Sequence, residues 1–256
     1  MSAMDFTGKV VIVTGASSGI GAASAILFAK HGAQVTLVGR NEQRLLATAT
    51  KCEAACGLKM ISLILDLTHE GSCESVVSKT IETYGRLDVL VNCAGKAMIT
   101  SLFEDSMEVF DEIIKLNLRV PYLLTQLCLP HLLKTKGNVV NIVGAHWKRV
   151  RHGFIPYSIA KAGLDRFTRS AAVELSSEGV RVNSVQPGLA RTNLMGNMNI
   201  DEDMFDYFYK FLADEMPNHK IIEPDEVARM VVFVASNMCP SLNGANMGIH
   251  SGSTSF

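Results

Sequence analysis

Along the chain, compact runs of β-branched and aliphatic residues alternate with longer stretches whose apolar positions recur at helical spacing. Residues 9–14 read K-V-V-I-V-T, and similar runs cover 34–39, 59–65, 87–91, 137–143 and 180–186, with a weaker one at 246–250. Nearly continuous Val/Ile/Leu without polar alternation marks strands covered on both faces, the habit of a parallel sheet. The intervening patterns predict helices over 20–31 (closed by Gly32), 41–56 (N-capped by Asn41), 68–84 (opened by Thr68), 107–134, 157–178 and 223–237. Pro121 and Pro130 fall inside the fourth of these, which therefore bends or splits. Regular β-α alternation predicts an α/β fold, a doubly wound parallel sheet of about seven strands with helices on both faces. No linker, repeat or low-complexity segment interrupts the pattern, so residues 1–256 read as one domain.

Composition narrows the class. Hydrophobic residues make up 48% and charged residues 19% of the chain, a globular balance. Lys plus Arg total 24 against 25 Asp plus Glu, so no bulk positive charge points to nucleic acid. No apolar run approaches the roughly 18 residues that span a bilayer. The start, Met1-Ser2-Ala3-Met4-Asp5, lacks the basic and apolar regions of a secretory signal, and a cytoplasmic address is expected. Cys52, Cys56, Cys73, Cys93, Cys128 and Cys239 show neither C-x-x-C nor zinc spacing, so no metal is expected. Cys52 and Cys56, one helical turn apart, read as reduced thiols.

Directly after the first strand comes Thr14-Gly15-Ala16-Ser17-Ser18-Gly19-Ile20-Gly21, opening a helix. Gly15 permits a tight turn, Gly19 admits a pyrophosphate close to the backbone, and Gly21 allows helix-on-strand packing. The helix N-terminus would offer free N–H groups to the phosphates. The spacing G-x-x-x-G-x-G differs from the common dinucleotide fingerprint, and its place at the first βα junction supplies much of its meaning. The second strand ends on Gly39-Arg40-Asn41, where a carboxylate would select NAD. With no carboxylate there and a guanidinium following, NADP(H) is expected over NAD(H), unless Arg40 is an ordinary solvated loop charge. Asp66, followed by Leu67, ends the third strand and could accept from the adenine amino group. Asn92-Cys93-Ala94-Gly95 ends the fourth with small residues that let a cofactor lie against the backbone.

Tyr157 and Lys161 lie four apart and share a helix face. A free phenol with a pKa near 10 is a poor acid–base group at neutral pH. A neighbouring ammonium is expected to lower it and let Tyr157 exchange a proton with an alcohol or alkoxide. Together these features resemble the short-chain dehydrogenase/reductase family, with a Rossmann-type sheet, from about Phe6 to the C-terminus. The motifs are Thr14-Gly15-x-x-x-Gly19-x-Gly21, Asp66, Asn92-x-Ala94-Gly95, Asn117, Tyr157-x-x-x-Lys161 and Pro187-Gly188-x-x-x-Thr192, in the family's order. The resemblance implies an oxidoreductase that interconverts a carbonyl and a secondary alcohol. Tyr157 would be the acid/base, and Lys161 would hold the nicotinamide ribose. Asn117 would place a water in a proton relay. Thr192, with Pro187 and Gly188, would seat the carboxamide. It also implies a homotetramer or homodimer.

The chain departs from that pattern at the family's serine and in the loop that follows it. The family's serine, thirteen residues before the tyrosine, falls here on Gly144, which has no side-chain donor. Losing one such donor typically costs about 10²–10³ in rate. Three readings stay open: His146 substitutes, Tyr157 works slowly alone, or the chain binds cofactor without turnover. The loop His146-Trp147-Lys148-Arg149-Val150-Arg151-His152 is basic and holds the only tryptophan. It would border the substrate mouth, to attract an anionic substrate or carrier, or it is a solvated loop. Residues 193–222 match the family's variable substrate loop. There Met204, Phe208, Phe211 and Leu212 repeat at helical spacing behind Asp201, Glu202, Asp203 and Asp206, as a lid over an apolar substrate or a helix covering core.

Overall fold

The computed structural model describes residues 4–103, 107–144, 152–194, 209–210, 213–214, 216 and 218–252. Seven parallel strands form one sheet: β1 (Val10–Thr14), β2 (Gln34–Gly39), β3 (Ile61–Ile64), β4 (Val89–Asn92), β5 (Asn138–Ile142), β6 (Arg181–Pro187) and β7 (Asn246–Ile249). Their order is β3-β2-β1-β4-β5-β6-β7. Strand side chains feed both faces in alternation. Val11 and Val13 pack with α1 (Gly19–Lys30), α2 (Glu42–Cys56) and α7 (Pro224–Ala235). Val10 and Ile12 pack with α3 (Ser72–Tyr84), α5 (Val120–Thr135) and α6 (Ile155–Leu175). Burial on both sides accounts for the unbroken apolar strands.

Element ends differ from the sequence pattern for local reasons. Thr68 does not open α3. Its N–H and hydroxyl both donate to Asp66 Oδ1, at 2.9 and 2.7 Å, and the helix starts at Ser72 after Gly71 in a left-handed conformation. The α6 helix begins earlier than expected because Pro156 takes its first turn. Glu223 and Glu226 form a reciprocal capping box at the start of α7. The long fourth pattern does divide: α4 (Met107–Ile114) runs into a π-helical turn, Lys115–Arg119, before α5. Pro121 lacks the N–H that would bond to the Asn117 carbonyl in a regular α-helix, which explains the turn's place. Pro130 is accommodated within α5.

The strand order reverses between β1 and β4, the point where open α/β sheets place their ligand crevice. Thr14 stitches it: its hydroxyl accepts from the Cys93 and Ala94 N–H groups at 2.9 and 3.0 Å and donates to the Val91 carbonyl. Among the described residues no helix is long and apolar enough to cross a membrane, and no group of acidic, His and Cys side chains is placed to hold a metal ion.

Candidate active site

At the carboxyl ends of the strands lies a cleft of about 520 Å³. One end is the β1–α1 turn. Gly15 has φ +68°, and a Cβ there would lie 3.0 Å from the Ala94 backbone. A Cβ on Gly21 would run into the Gly15 carbonyl. Ser18 stands at the N-cap of α1 without a capping side-chain bond, and no acid occupies the first turn. The N–H groups there are therefore left for an anionic ligand. Ser17, Ser18, Gly19, Ile20 and Gly21 all line the cleft.

Beyond β2, Arg40, Asn41, Asp66 and Leu67 also line it. Asp66 is engaged by Thr68 and by Arg40, whose Nη1 donates to Oδ2 at 3.2 Å. These bonds outweigh partial burial and hold the Asp66 carboxyl below its ordinary pKa. Asn41 Oδ1 accepts from the Arg44 N–H and caps α2. Arg44 lines the same end, and among the described residues its side chain has no hydrogen-bond or ion-pair partner. Sequence reasoning passed over Arg44, although its place one turn after Arg40, behind a capping Asn, was a usable signal. A Cβ on Gly39 would meet Leu45 Cδ1 and Ser17 Cβ, both at 3.1 Å, so a side chain there is crowded.

At the other end Tyr157 and Lys161 share the inward face of α6, 7% and 5% exposed. Lys161 Nζ donates to the Ile142 carbonyl at 2.9 Å and lies 5.7 Å from the Tyr157 ring centroid. The expectation that the ammonium lowers the phenol's pKa is not met in this structure. Burial pushes Tyr157 above its ordinary value, and nearby Cys93 adds to the rise. Burial also brings Lys161 down to about 8. Cys93, which the sequence offers only as one of the small residues closing the fourth strand, lines the cleft, and burial raises its own thiol to about 12.

Asn117 stands behind this pair. Its Nδ2 donates to the Lys96 and Ile113 carbonyls, both at 2.9 Å, and its Oδ1 accepts from the Lys96 N–H. A Cβ on Gly95 would lie 2.8 Å from Asn117 Oδ1 and 3.5 Å from Lys161 Nζ, so only glycine leaves these groups in place. Asn92 is buried below the cleft. It donates to Asn141 Oδ1 at 2.9 Å, and Asn141 donates to Thr168, in a polar chain across β4, β5 and α6. Ala94, Gly95, Pro187, Gly188 and Thr192 line the cleft, as do the unforeseen Ala97, Phe154 and Leu189, and Leu194 from the start of the expected substrate loop. Gly144 has φ +72°, and a Cβ there would lie 3.5 Å from the Tyr157 hydroxyl. His146, Trp147 and most of the expected lid, including Met204, Phe208, Phe211 and Leu212, fall outside the described residues.

The chain that carries this glycine turn at the switch point and the Tyr–Lys pair is matched over almost its whole length by known proteins. The family model described as enoyl-(acyl carrier protein) reductase matches residues 15–254. The chain belongs to the short-chain dehydrogenase/reductase family. This family comprises oxidoreductases that act on alcohols and carbonyls and bind nicotinamide dinucleotides. The (2S)-[(R)-hydroxy(phenyl)methyl]succinyl-CoA dehydrogenase subunit BbsD of Thauera aromatica is 32% identical over 254 residues, covering 99% of both chains. The 3-oxoacyl-[acyl-carrier-protein] reductase FabG of Thermotoga maritima is 32% identical, with 97% of this chain and 99% of that one covered. L-sorbose reductase of Gluconobacter frateurii, solved with NADPH and L-sorbose, superposes with a TM-score of 0.91 at 26% identity over 99% of both chains.

Proposed function

We propose that this short-chain dehydrogenase/reductase is an NADP(H)-dependent enzyme that interconverts a carbonyl and a secondary alcohol on a fairly apolar small molecule. The observation that carries the reading is the convergence of the Tyr157 hydroxyl, Lys161 and the glycine turn on one cleft. A nicotinamide dinucleotide held in this cleft would supply the hydride chemistry. Tyr157, kept protonated by burial at neutral pH, gives its proton to the carbonyl oxygen in the reductive direction. Lys161 holds the ribose and remains largely an ammonium at pH 7. Pro121, which has no N–H, leaves the Asn117 carbonyl without its α-helical partner, so that it can hold a water in the relay to Lys161. Ala97, Phe154, Leu189 and Leu194 give the substrate end its apolar walls.

NADP(H) preference is supported by the crowded Gly39, which leaves no carboxylate to repel a 2′-phosphate, and by Arg40 and Arg44 beside it. The test is affinity. Arg40→Ala weakens NADPH binding by about 10–100-fold, one or two charged hydrogen bonds, and leaves NADH within about twofold. Equal NADH and NADPH affinity in the wild type overturns the preference.

Gly144 favours a second reading. Position 144 faces the Tyr157 hydroxyl but offers no donor, as in a dinucleotide-binding protein with weak or no turnover. Measurable NADPH affinity without turnover on any ketone or quinone of a broad panel would select it. Assembly as a homodimer or homotetramer through α5 and α6 is supported by exposed Tyr122 and Val173, with the Tyr122 ring tilted against Phe167 at 5.1 Å between centroids. Mass measurement in solution checks it. Six free cysteines support a cytoplasmic setting.

A further inference from the structure

Tyr209 sits far from Tyr157 in sequence and is 4% exposed. It packs with Leu189, Met216 and Ile221 in a small apolar cluster apart from the two sheet cores. Its hydroxyl donates to the Thr192 carbonyl at 2.8 Å and accepts from the Thr192 N–H at 3.3 Å. One phenol therefore engages both backbone polar groups of one residue, seventeen positions away. The Arg191 guanidinium lies 5.4 Å from the Tyr209 ring centroid and adds a cation–π contact. Burial raises the Tyr209 pKa, so the hydroxyl keeps its proton at neutral pH.

The other side of Thr192 faces the phosphate turn. A Cβ on Gly19 would lie 3.0 Å from the Thr192 methyl, so Thr192 rests directly on that glycine. The Thr192 hydroxyl accepts from the Leu194 N–H at 3.4 Å, which turns the loop beside the cleft. Neighbouring Ala190 bridges to Ile222, and the Arg191 N–H donates to the Ile222 carbonyl at 3.1 Å. Two segments from the far side of the substrate loop, at Tyr209 and at Ile222, thus hold residues 189–192 in place.

We propose that Tyr209 is a positioning residue. By holding both backbone groups of Thr192 it fixes the loop after β6 against the phosphate turn, and so couples the substrate-side segment to the nicotinamide end of the cleft. The inference rests on the proposed cofactor reading, and on Thr192 as part of the nicotinamide seat. Removing the hydroxyl lets the loop leave its binding-competent position, and apparent affinity then falls with the competent fraction.

Tyr209→Phe keeps the ring and its packing and deletes only the hydroxyl. Hydrogen exchange is compared between wild type and Tyr209→Phe without ligand. Affinities are then measured for NADPH and for adenosine 2′,5′-bisphosphate, which carries the adenosine end alone. The variant exchanges faster across 188–194, with the sheet unchanged. Its NADPH affinity falls roughly tenfold while the bisphosphate stays within about twofold, since only the nicotinamide seat has loosened. Unchanged exchange, or an equal loss for both ligands, overturns the coupling. Wild type that binds neither NADPH nor NADH overturns the proposed function and the cofactor half of this inference together. Wild type that binds NADPH no better than Tyr209→Phe overturns this inference alone.

Discussion

Replacing Gly144 by serine and, in parallel, by alanine separates two effects that one substitution would merge. Gly144 has φ +72°, so either side chain forces the left-handed region, at a cost of about 1–2 kcal/mol. For a chain of this size that corresponds to a fall in Tm of about 2–8 °C, shared by both variants. Space is not the obstacle, because the new Cβ would lie 3.5 Å from the Tyr157 hydroxyl, an ordinary contact. Only serine adds a donor beside the Tyr157 hydroxyl, where the proposed reading puts the reacting carbonyl oxygen. Such a donor typically contributes about 10²–10³ in rate when well placed, and a strained backbone will deliver less. The expected result is a kcat/KM for NADPH-dependent ketone reduction about 10–100-fold higher in Gly144→Ser than in Gly144→Ala, at matched Tm. Equal rates in the two variants would refute the placement of position 144 at the reacting oxygen. A Tm as high as wild type in both would refute the strain argument.

Three further outcomes follow from the geometry. Gly95→Ala places a methyl 2.8 Å from Asn117 Oδ1. It should lower kcat more than it raises KM and cost about 1–3 kcal/mol of stability, read by activity and urea denaturation. Asp88 receives Arg86, Lys9 and the Val10 N–H, and these bonds hold its carboxyl below the ordinary pKa despite burial. Its stabilisation is present above the unfolded value of 3.8 and is lost as pH falls through the lower folded value, so Asp88→Asn should be destabilised at pH 7 and show a flatter loss of stability below pH 3.8. Gly39→Asp crowds Leu45 and Ser17 and brings a carboxylate toward the Arg40 end. It should weaken NADPH more than NADH, and an unchanged ratio in a binding titration would count against the Arg40 reading.

The sheet was legible because burial on both faces leaves strands such as Val10–Thr14 without polar alternation. The glycine turn after β1 was legible because its glycines are steric necessities: a Cβ at Gly15 or Gly21 meets Ala94 or the Gly15 carbonyl. Element ends were less so. Thr68 looks like a helix cap, but its hydroxyl serves Asp66, a choice that depends on where β3 stops. The direction of the Tyr157 shift was misread because spacing gives proximity and not desolvation, and burial dominates both members of the pair. The Tyr209–Thr192 contact was invisible in the sequence, since no periodicity links residues across a variable loop. Arg44 was hidden by its ordinary place on a helix.

The central claim is proton donation by Tyr157 to a carbonyl reduced with NADPH. The direct measurement is NADPH consumption by wild type and Tyr157→Phe across a panel of apolar ketones, with NADPH affinity checked in both. The account predicts turnover in the wild type and a loss of about 10²–10⁴-fold in Tyr157→Phe at unchanged NADPH affinity. A silent wild type, or a phenylalanine variant that turns over as fast, would contradict it.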